Sequence, residues 1–282
     1  MRHSRQRIRR LAPAVVVAAF AVALATGVHA QGIGVMALGD EGPFTAPALD
    51  FATDDLGADL IDRAELRGDD LRRYSVVWWH DGDTDPGALS DAEMSALLGY
   101  AEAGGSILLT GWAIRYATPM GLEDAEARQF GPEPDDGVNV GITVMDETID
   151  LGLLDGLVNI DGDPPALGDR VQVNSTGFPK SGDYYDGIWT NFTTIAGVWG
   201  PPADDWGDRI AAFGYWEAGA GKVFNMNWRL PTYHDNNEDI EQLQQLTRNV
   251  IAWLETESAF ADVEAAGKLP VTWGRLRSSL AE

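Results

Sequence analysis

The chain of 282 residues contains no cysteine. That absence excludes disulfide bonds, cysteine nucleophiles and thiolate metal ligands. A protein without disulfides is held together by its core alone, which a domain of about 250 residues can achieve. The sequence also lacks internal repeats and low-complexity linkers, so we expect one domain rather than a string of modules.

Basic residues are scarce, and lysine is the rarest of them. Twenty Lys and Arg face 44 Asp and Glu, which gives a net charge of −24, and only Lys180, Lys222 and Lys268 are lysines. This balance excludes nucleic acid as the default partner and disfavours anionic membrane surfaces. The acids are scattered along the chain, which is typical of a well-solvated surface; adaptation to saline surroundings is the alternative.

The one long hydrophobic run lies near the amino terminus, where it predicts a secretory signal. Five arginines precede the run from Leu11 to Ala25, and Val28-His29-Ala30 forms a small-x-small cleavage site. The run is shorter than the ~20 residues of a membrane span. We expect residues 1–30 to be removed and the mature chain to be secreted or periplasmic. Fifteen basic residues (20 − 5) then face 44 acids, a net charge of −29.

The mature chain indicates one α/β domain, residues 31–260, followed by a C-terminal tail, residues 261–282. Short apolar runs alternate with amphipathic segments, which is typical of β-α-β units. We expect a flavodoxin-like, open, mostly parallel sheet with flanking helices and a β-rich insertion at about 138–205. The predicted elements are strands at 33–38, 58–61, 75–79 and 107–110, a hairpin around 218–221, helices at 48–56, 91–103 and 238–255, and a loop at 113–137.

The helix predicted from about Asp91 to Ala103 has the clearest start and stop signals. Ser90 stands at the N-cap with Glu93 three residues later, the spacing of a capping box, and Gly104-Gly105 follows the last apolar residue. This helix joins two buried strands. Ligands of open α/β sheets bind beyond the carboxyl ends of such strands.

Several stretches together resemble the class I glutamine amidotransferase-like superfamily, in its ThuA-like (trehalose-utilisation) branch. They are, in chain order, ALDFATDDLGADL, DLRRYSVVWWHDGD, LSDAEMSALLGYAEAGGSILLTG and GAGKVFNMNW. The chain also resembles uncharacterised secreted domains that accompany glycan-utilisation enzymes. The resemblance implies a nucleophilic cysteine after the strand at 107–110, where this sequence has Trp112 and Ala113. No Cys-His-Glu triad carries over, so the sequence favours a protein that is not an enzyme.

A candidate ligand site lies at the predicted carboxyl ends of the strands. An indole face, carboxylates and a guanidinium are the groups that stack on a sugar ring and bond its hydroxyls. His234 follows the last strand, where amidotransferases keep their histidine, and aromatic residues of the insertion add a binding surface. The predicted ligand-binding residues are His80, Asp81, Trp112, Arg115, Tyr185, Trp189 and His234.

Simpler interpretations stand beside these. Trp78 and Trp79 point to opposite faces of a strand, so at least one belongs to the core. The acids from Asp81 to Asp85 alternate as in a calcium loop, but Pro86 replaces the loop glycine, which favours a turn with solvated acids. His80 and His234 lack a tight metal-ligand spacing. No metal or cofactor is predicted.

The sequence therefore favours a secreted, non-catalytic protein that binds carbohydrate. One alternative is a metal-assisted or acid–base sugar hydrolase or isomerase that uses His80, Asp81 and His234. A second alternative is a structural or assembly subunit whose aromatic loops meet a protein partner.

Overall fold

A computed structural model describes most of the chain downstream of the predicted signal. The described residues are 32–67, 69–84, 87–124, 128–129, 139–176, 183–184, 189–199, 213–226 and 230–260. The predicted signal at 1–30, the tail at 261–282 and Tyr185 lie outside these ranges. Among the helices inside them, none has both the length and the apolar character of a membrane span.

Eleven strands and four α-helices form the described part of the domain. The strands are β1 Ile33–Met36, β2 Asp59–Leu60, β3 Val76–Asp81, β4 Ser106–Gly111, β5 Arg128–Gln129, β6 Val140–Val144, β7 Arg170–Asn174, β8 Asp183–Tyr184, β9 Phe192–Trp199, β10 Phe213–Ala218 and β11 Gly221–Asn225. The helices are α1 Ala46–Asp50, α2 Asp91–Glu102, α3 Asp146–Asp150 and α4 Ile240–Glu257. A π-helix, Phe51–Asp55, continues α1, and 3-10 helices span Arg63–Arg67, Asp69–Arg73 and Trp112–Ala117.

Nine of these strands form one mixed sheet in the order β2-β1-β3-β4-β11-β10-β9-β6-β7. The pairings from β2 to β11 are parallel, and those from β11 to β7 are antiparallel. The α/β class is confirmed, but the flavodoxin-like, mostly parallel sheet is not, since half of the pairings are antiparallel. Two residues join β10 to β11, and so short a connection permits only an antiparallel pair.

The predicted β-rich insertion does not form a separate unit in the described residues. Its strands β6, β7 and β9 extend the main sheet beyond β10. Only the two-residue strands β5 and β8 pair apart from it. The insertion thus enlarges the same sheet, with its core continuous with that of the β-α-β units.

Alternate strand residues divide the core into two layers, one on each face of the sheet. Trp78 packs in the layer that includes α1 and α4, whereas Trp79 packs in the layer that includes α2. Both indoles are completely buried. The prediction that at least one belongs to the core is confirmed. Burying two large aromatic side chains on one strand stabilises both layers, by about 1.5–3 kcal/mol for each side chain of this kind.

The start of α2 is fixed as its sequence predicts. The Ser90 hydroxyl donates to Glu93 Oε2 at 2.7 Å, and the Ser90 amide donates to the same oxygen at 2.7 Å. The Glu93 amide donates back to Ser90 Oγ at 3.4 Å, which completes the capping box. Arg63 Nε donates to Glu93 Oε1 at 2.8 Å, so this buried carboxylate also ties α2 to the segment before β3.

The sequence predicts a loop after β4, but the structure has a short helix at its start. Residues 112–117 form a 3-10 helix whose Ala113, Ile114 and Ala117 are buried in the α2 layer. Burial of these three apolar side chains in the core stabilises the short helix.

We expect Ser90→Ala to lower the free energy of unfolding by about 1 kcal/mol, because it removes the N-cap acceptor and a partner of Glu93. Urea denaturation of the mature protein measures this. Ser95→Ala is the matched control, since Ser95 is exposed on the same helix; it should change stability by less than about 0.5 kcal/mol. Equal effects would contradict the capping role.

Candidate functional site

The carboxyl ends of β1, β3, β4 and β11 meet at one edge of the sheet. The chain leaves β1 for α1 on one face and leaves β3 for α2 on the other. A crevice therefore opens between the ends of these two neighbouring strands, which is where ligands bind in open α/β sheets. We call the ends of these strands and the segments that follow them the carboxyl edge.

Asp81, the last residue of β3, closes this crevice from within. Its Oδ1 accepts hydrogen bonds from the amides of Leu38 at 2.9 Å and Gly39 at 2.7 Å, just after β1. Its Oδ2 accepts one from Trp79 Nε1 at 2.5 Å. Burial raises the pKa of this carboxyl, while the three donors oppose that shift. Asp81 thus joins the loop after β1 to β3 through its own carboxylate.

Asp83 holds the next part of the same loop. Its Oδ2 accepts from the Phe44 amide at 3.1 Å and the Thr45 amide at 2.7 Å. In return, Thr45 Oγ1 accepts from the amides of Gly82 at 3.0 Å and Asp83 at 3.1 Å. The turn predicted for this segment is present, but Asp81 is completely buried rather than solvated, and both carboxylates bind backbone amides.

His80 lies beside them in a continuous chain of hydrogen bonds. Trp78 Nε1 donates to Thr110 Oγ1 at 2.8 Å, and Thr110 Oγ1 lies 2.8 Å from His80 Nδ1. His80 Nε2 lies 3.1 Å from the carbonyl oxygen of Phe44. Because a carbonyl only accepts, Nε2 carries the proton, and Nδ1 accepts from the Thr110 hydroxyl. Complete burial lowers the pKa of His80 to about 4, so the ring is neutral at pH 7.

The structure therefore gives His80 and Asp81 an internal role. Both were predicted to contact a ligand, and both have 0% of their surface exposed. The two side chains hold the loop after β1 from within. Their direct part in binding stays a prediction.

His234 does reach the surface at this edge. Its ring packs against the Phe44 ring with centroids 5.6 Å apart, and both residues are half-buried. The Asn236 amide donates to His234 Nδ1 at 3.1 Å. The preceding residue, Tyr233, packs edge-on against His80 at 5.6 Å. The two histidines thus belong to one cluster, joined by Phe44 and Tyr233.

The sharp turn after β4 falls at Gly111, one residue before the position expected from the sequence. Its backbone has φ 63° and ψ −136°, a conformation essentially reserved for glycine. In hydrolases with a nucleophile elbow, the reactive residue occupies such a strained strand-to-helix turn. Here a Cβ would stand 2.1 Å from the carbonyl oxygen of Asp81. The turn keeps the elbow shape and has no space for a nucleophilic side chain.

Trp112 and Arg115 follow this turn on the 3-10 helix Trp112–Ala117. Trp112 is 5% exposed and belongs to neither hydrophobic layer. Arg115 is exposed and lines a groove of about 300 Å³ together with Tyr116 and residues 87–89. Met94 and Pro119 complete the lining. The structure thus places both predicted residues at the carboxyl edge.

Trp189 lies elsewhere. Its ring packs 4.8 Å from the Trp216 ring and 5.3 Å from the Phe192 ring, in the layer of α2. By strand register Phe192 is level with Val77, four residues before the carboxyl end of β3. Trp189 precedes Phe192 and is 93% buried. It supports the core of the sheet instead of joining the other predicted residues.

A metal centre built from His80, Asp81 and His234 finds no geometric support. Across the described ranges, no three His, Asp or Glu side chains are arranged to hold a metal ion. Both nitrogens of the His80 ring and both oxygens of the Asp81 carboxylate have protein partners.

Sequence reasoning overlooked Phe44, Thr110 and the backbone of Gly111. Thr110-Gly111 ends the apolar strand β4, and a glycine at that point is a signal of a strained turn. Phe44 carried no signal, since it lies in a short segment between Gly42 and α1 and is positioned by backbone partners that are distant in sequence.

The buried neutral His80 predicts a dependence of stability on pH. Its folded pKa of about 4 lies below its ordinary 6.5, so the unfolded chain binds an extra proton in that window and stability falls as pH is lowered. For His80 alone this amounts to a loss of roughly 2–3 kcal/mol between pH 7 and 4.5, and the raised pKa of Asp81 acts in the opposite direction. Arg63 lowers the pKa of Glu93 to about 2. Protonation of Glu93 therefore lowers the stability of the fold only when the pH falls below the ordinary pKa of 4.5.

Urea denaturation at both pH values tests this. His80→Gln should remove most of the dependence, whereas His234→Gln, the matched control, should retain it. If the free energy of unfolding of His80→Gln depended on pH as strongly as that of the natural protein, His80 would not be the buried neutral group responsible.

The strained turn gives a second expectation. Gly111→Ala should lower the free energy of unfolding by at least about 3 kcal/mol, because both the backbone conformation and the contact with Asp81 oppose a Cβ. Gly99→Ala is the control, since no atom lies within 4 Å of a Cβ at this position in α2. It should stabilise by about 0.5–1 kcal/mol. A tolerated Gly111→Ala would show that the turn is not strained.

No protein-family model matches the chain, and no curated protein matches it in sequence. Solved structures are similar to it to different degrees. A ThuA-like protein from Bacteroides uniformis is 12% identical over 82% of this chain and 94% of that chain, with a TM-score of 0.49. The cytoplasmic protein STM3548 from Salmonella typhimurium is 11% identical over 79% and 99%, with a TM-score of 0.47.

A ThuA-like protein from Parabacteroides merdae is 10% identical over 81% of this chain and 92% of that chain, with a TM-score of 0.50. Its TM-score is the highest of these three structures, and at 10% identity the likeness concerns the fold alone. The resemblance predicted from the sequence is confirmed at that level: the chain has the fold of ThuA-like proteins.

Proposed function

We propose that this chain is an exported, non-catalytic protein that binds carbohydrate at the carboxyl edge of its sheet. The observation that carries the proposal is the half-buried Phe44–His234 pair, with ring centroids 5.6 Å apart. A sugar presents an apolar C–H face and a rim of hydroxyls. The first packs against an aromatic ring, and the second exchanges hydrogen bonds with an imidazole.

The pair is held in place before any ligand arrives. The amide of Phe44 is bonded to Asp83, and its carbonyl accepts from His80. The ring therefore projects from a backbone fixed on both sides to β3. Such preorganisation raises affinity because little conformational entropy is lost on binding.

The turn after β4 supports a role without catalysis. In the enzymes that the sequence resembles, this turn carries the nucleophile. Gly111 supplies no side chain there, and the carbonyl oxygen of Asp81 occupies the space that one would need. His80, the neighbouring candidate base, is enclosed with both ring nitrogens bonded.

Export is the remaining part of the proposal and rests on the sequence. The arginine-rich start, the apolar run from Leu11 to Ala25 and the small-x-small site at residues 28–30 support it. A cysteine-free chain suits an oxidising compartment, because it cannot form incorrect disulfides there.

Affinity electrophoresis of the mature protein against soluble polysaccharides tests the function. We expect retardation by at least one of them without release of sugar. Phe44→Leu should weaken that binding about 3–10-fold, because it keeps an apolar side chain but loses the aromatic face. Ile160→Ala is the control, since Ile160 is exposed beside β7, the strand at the opposite edge of the sheet.

Two results would contradict the proposal. Release of sugar would make the protein an enzyme. Absence of retardation by every polysaccharide, with a protein captured reproducibly through the same edge, would make it an assembly subunit instead.

A further inference from the structure

We propose that the Phe44–His234 pair selects uncharged glycans, and that His234 donates the hydrogen bond that the sugar accepts. This inference rests on the proposed function and adds the class of ligand and the direction of the bond. Two independent features of the carboxyl edge support it. They are the position of the proton on the imidazole and the acidic residues around the pair.

One nitrogen of the His234 ring is used by the protein, and this decides where the proton lies. The Asn236 amide donates to Nδ1 at 3.1 Å. Because an amide N–H only donates, Nδ1 is the unprotonated nitrogen of the neutral ring and Nε2 carries the hydrogen. Within the part of the chain that the structure describes, Nε2 has no hydrogen-bond partner. The half-buried imidazole therefore offers a ligand one donor, Nε2–H.

The buried Asn237 fixes the backbone that carries this donor. Its amide donates to the His234 carbonyl oxygen at 2.9 Å, and its Nδ2 donates to the carbonyl oxygens of Thr232 at 3.0 Å and Val173 at 2.9 Å. The Phe44 ring contacts the imidazole from the other segment. The donor thus has a set position before a ligand arrives, which favours a ligand whose acceptor oxygen lies beside its apolar face.

Acidic residues flank the pair on both segments. Asp40, Glu41 and Asp235 are exposed, each within four residues of one of the two rings in sequence. Neither residues 40–62 nor residues 230–247 include a Lys or Arg. Charges of one sign around a site repel a ligand of the same sign and do not repel a neutral ligand. The surroundings of the pair therefore disfavour uronates and sulfated sugars.

These two features act together on the choice of ligand. A hydroxyl or ring oxygen of a neutral sugar accepts from Nε2–H while its C–H face packs on Phe44. A carboxylate would accept more strongly from the same donor, but three like charges oppose that single bond. The donor thus sets the orientation of the sugar, and the acids set its class.

Calorimetry on the mature protein tests the class with polysaccharides that share a backbone and differ in charge. The probes are dextran with carboxymethyl dextran, starch with carboxymethyl starch, and hydroxyethylcellulose with carboxymethylcellulose. We expect at least one neutral member to bind at least about tenfold more tightly than its anionic counterpart in about 20 mM salt. The difference should shrink in about 0.5 M salt, because screening shortens the range of the repulsion.

A pair of double variants separates the charge of the site from that of the whole protein. Asp40→Asn with Glu41→Gln should narrow the preference at least about threefold, since two charges beside the pair are removed. Asp161→Asn with Glu102→Gln is the matched control, because it removes the same types of charge from exposed positions at the opposite end of the strands. Equal effects of the two double variants would show that the overall charge sets the preference and would overturn the inference.

Two variants of His234 test the direction of the bond. His234→Phe keeps a ring beside Phe44 and removes the donor, so binding of the neutral polysaccharide should weaken about 3–10-fold. His234→Gln places an amide donor near the position of Nε2 and should bind within about threefold of the natural protein. An equal loss in both variants would show that the donor is not what the sugar needs.

The same measurements distinguish failure of this inference from failure of the proposed function. Equal binding of neutral and anionic members, or tighter binding of the anionic ones, would overturn the inference and leave the proposed function standing. Binding of no polysaccharide would overturn both.

Discussion

The attachment of the loop after β1 to the end of β3 is the interaction on which the rest of the carboxyl edge depends. Asp81 and Asp83 accept hydrogen bonds from four backbone amides of that loop, and His80 donates to its Phe44 carbonyl. The crevice where ligands of such folds bind is therefore filled by the protein's own carboxylates. Since buried polar groups are costly when unpaired, the full set of partners stabilises one position of the loop.

The closed crevice leaves two surfaces of the carboxyl edge beside it. On one side the fixed loop presents Phe44 beside His234. On the other, the turn at Gly111 directs the chain into the 3-10 helix that carries Trp112 and Arg115. Both surfaces are rigid because each rests on a buried aromatic layer of β3, through Trp78 and Trp79 respectively.

Much of the fold follows from local sequence. The capping box of α2, the hairpin at 218–221 and the alternate burial of Trp78 and Trp79 are consequences of short-range patterns, and the structure confirms them. The pairing direction of β6 to β10 is not local, because apolar alternation is the same in parallel and antiparallel strands. For the same reason the sequence placed His80 and Asp81 at the correct edge and missed their burial, which depends on a loop some 40 residues earlier.

Amide hydrogen exchange of Leu38, Gly39, Phe44 and Thr45 tests the closed crevice most directly. These residues follow β1 in a loop or begin α1, and their amides donate to the carboxylates of Asp81 and Asp83. We expect these four amides to exchange as slowly as the amides of β1, through opening of the sheet itself. Exchange at the rate of an unprotected loop would show that the carboxylates do not hold this segment and that the crevice is open to ligand.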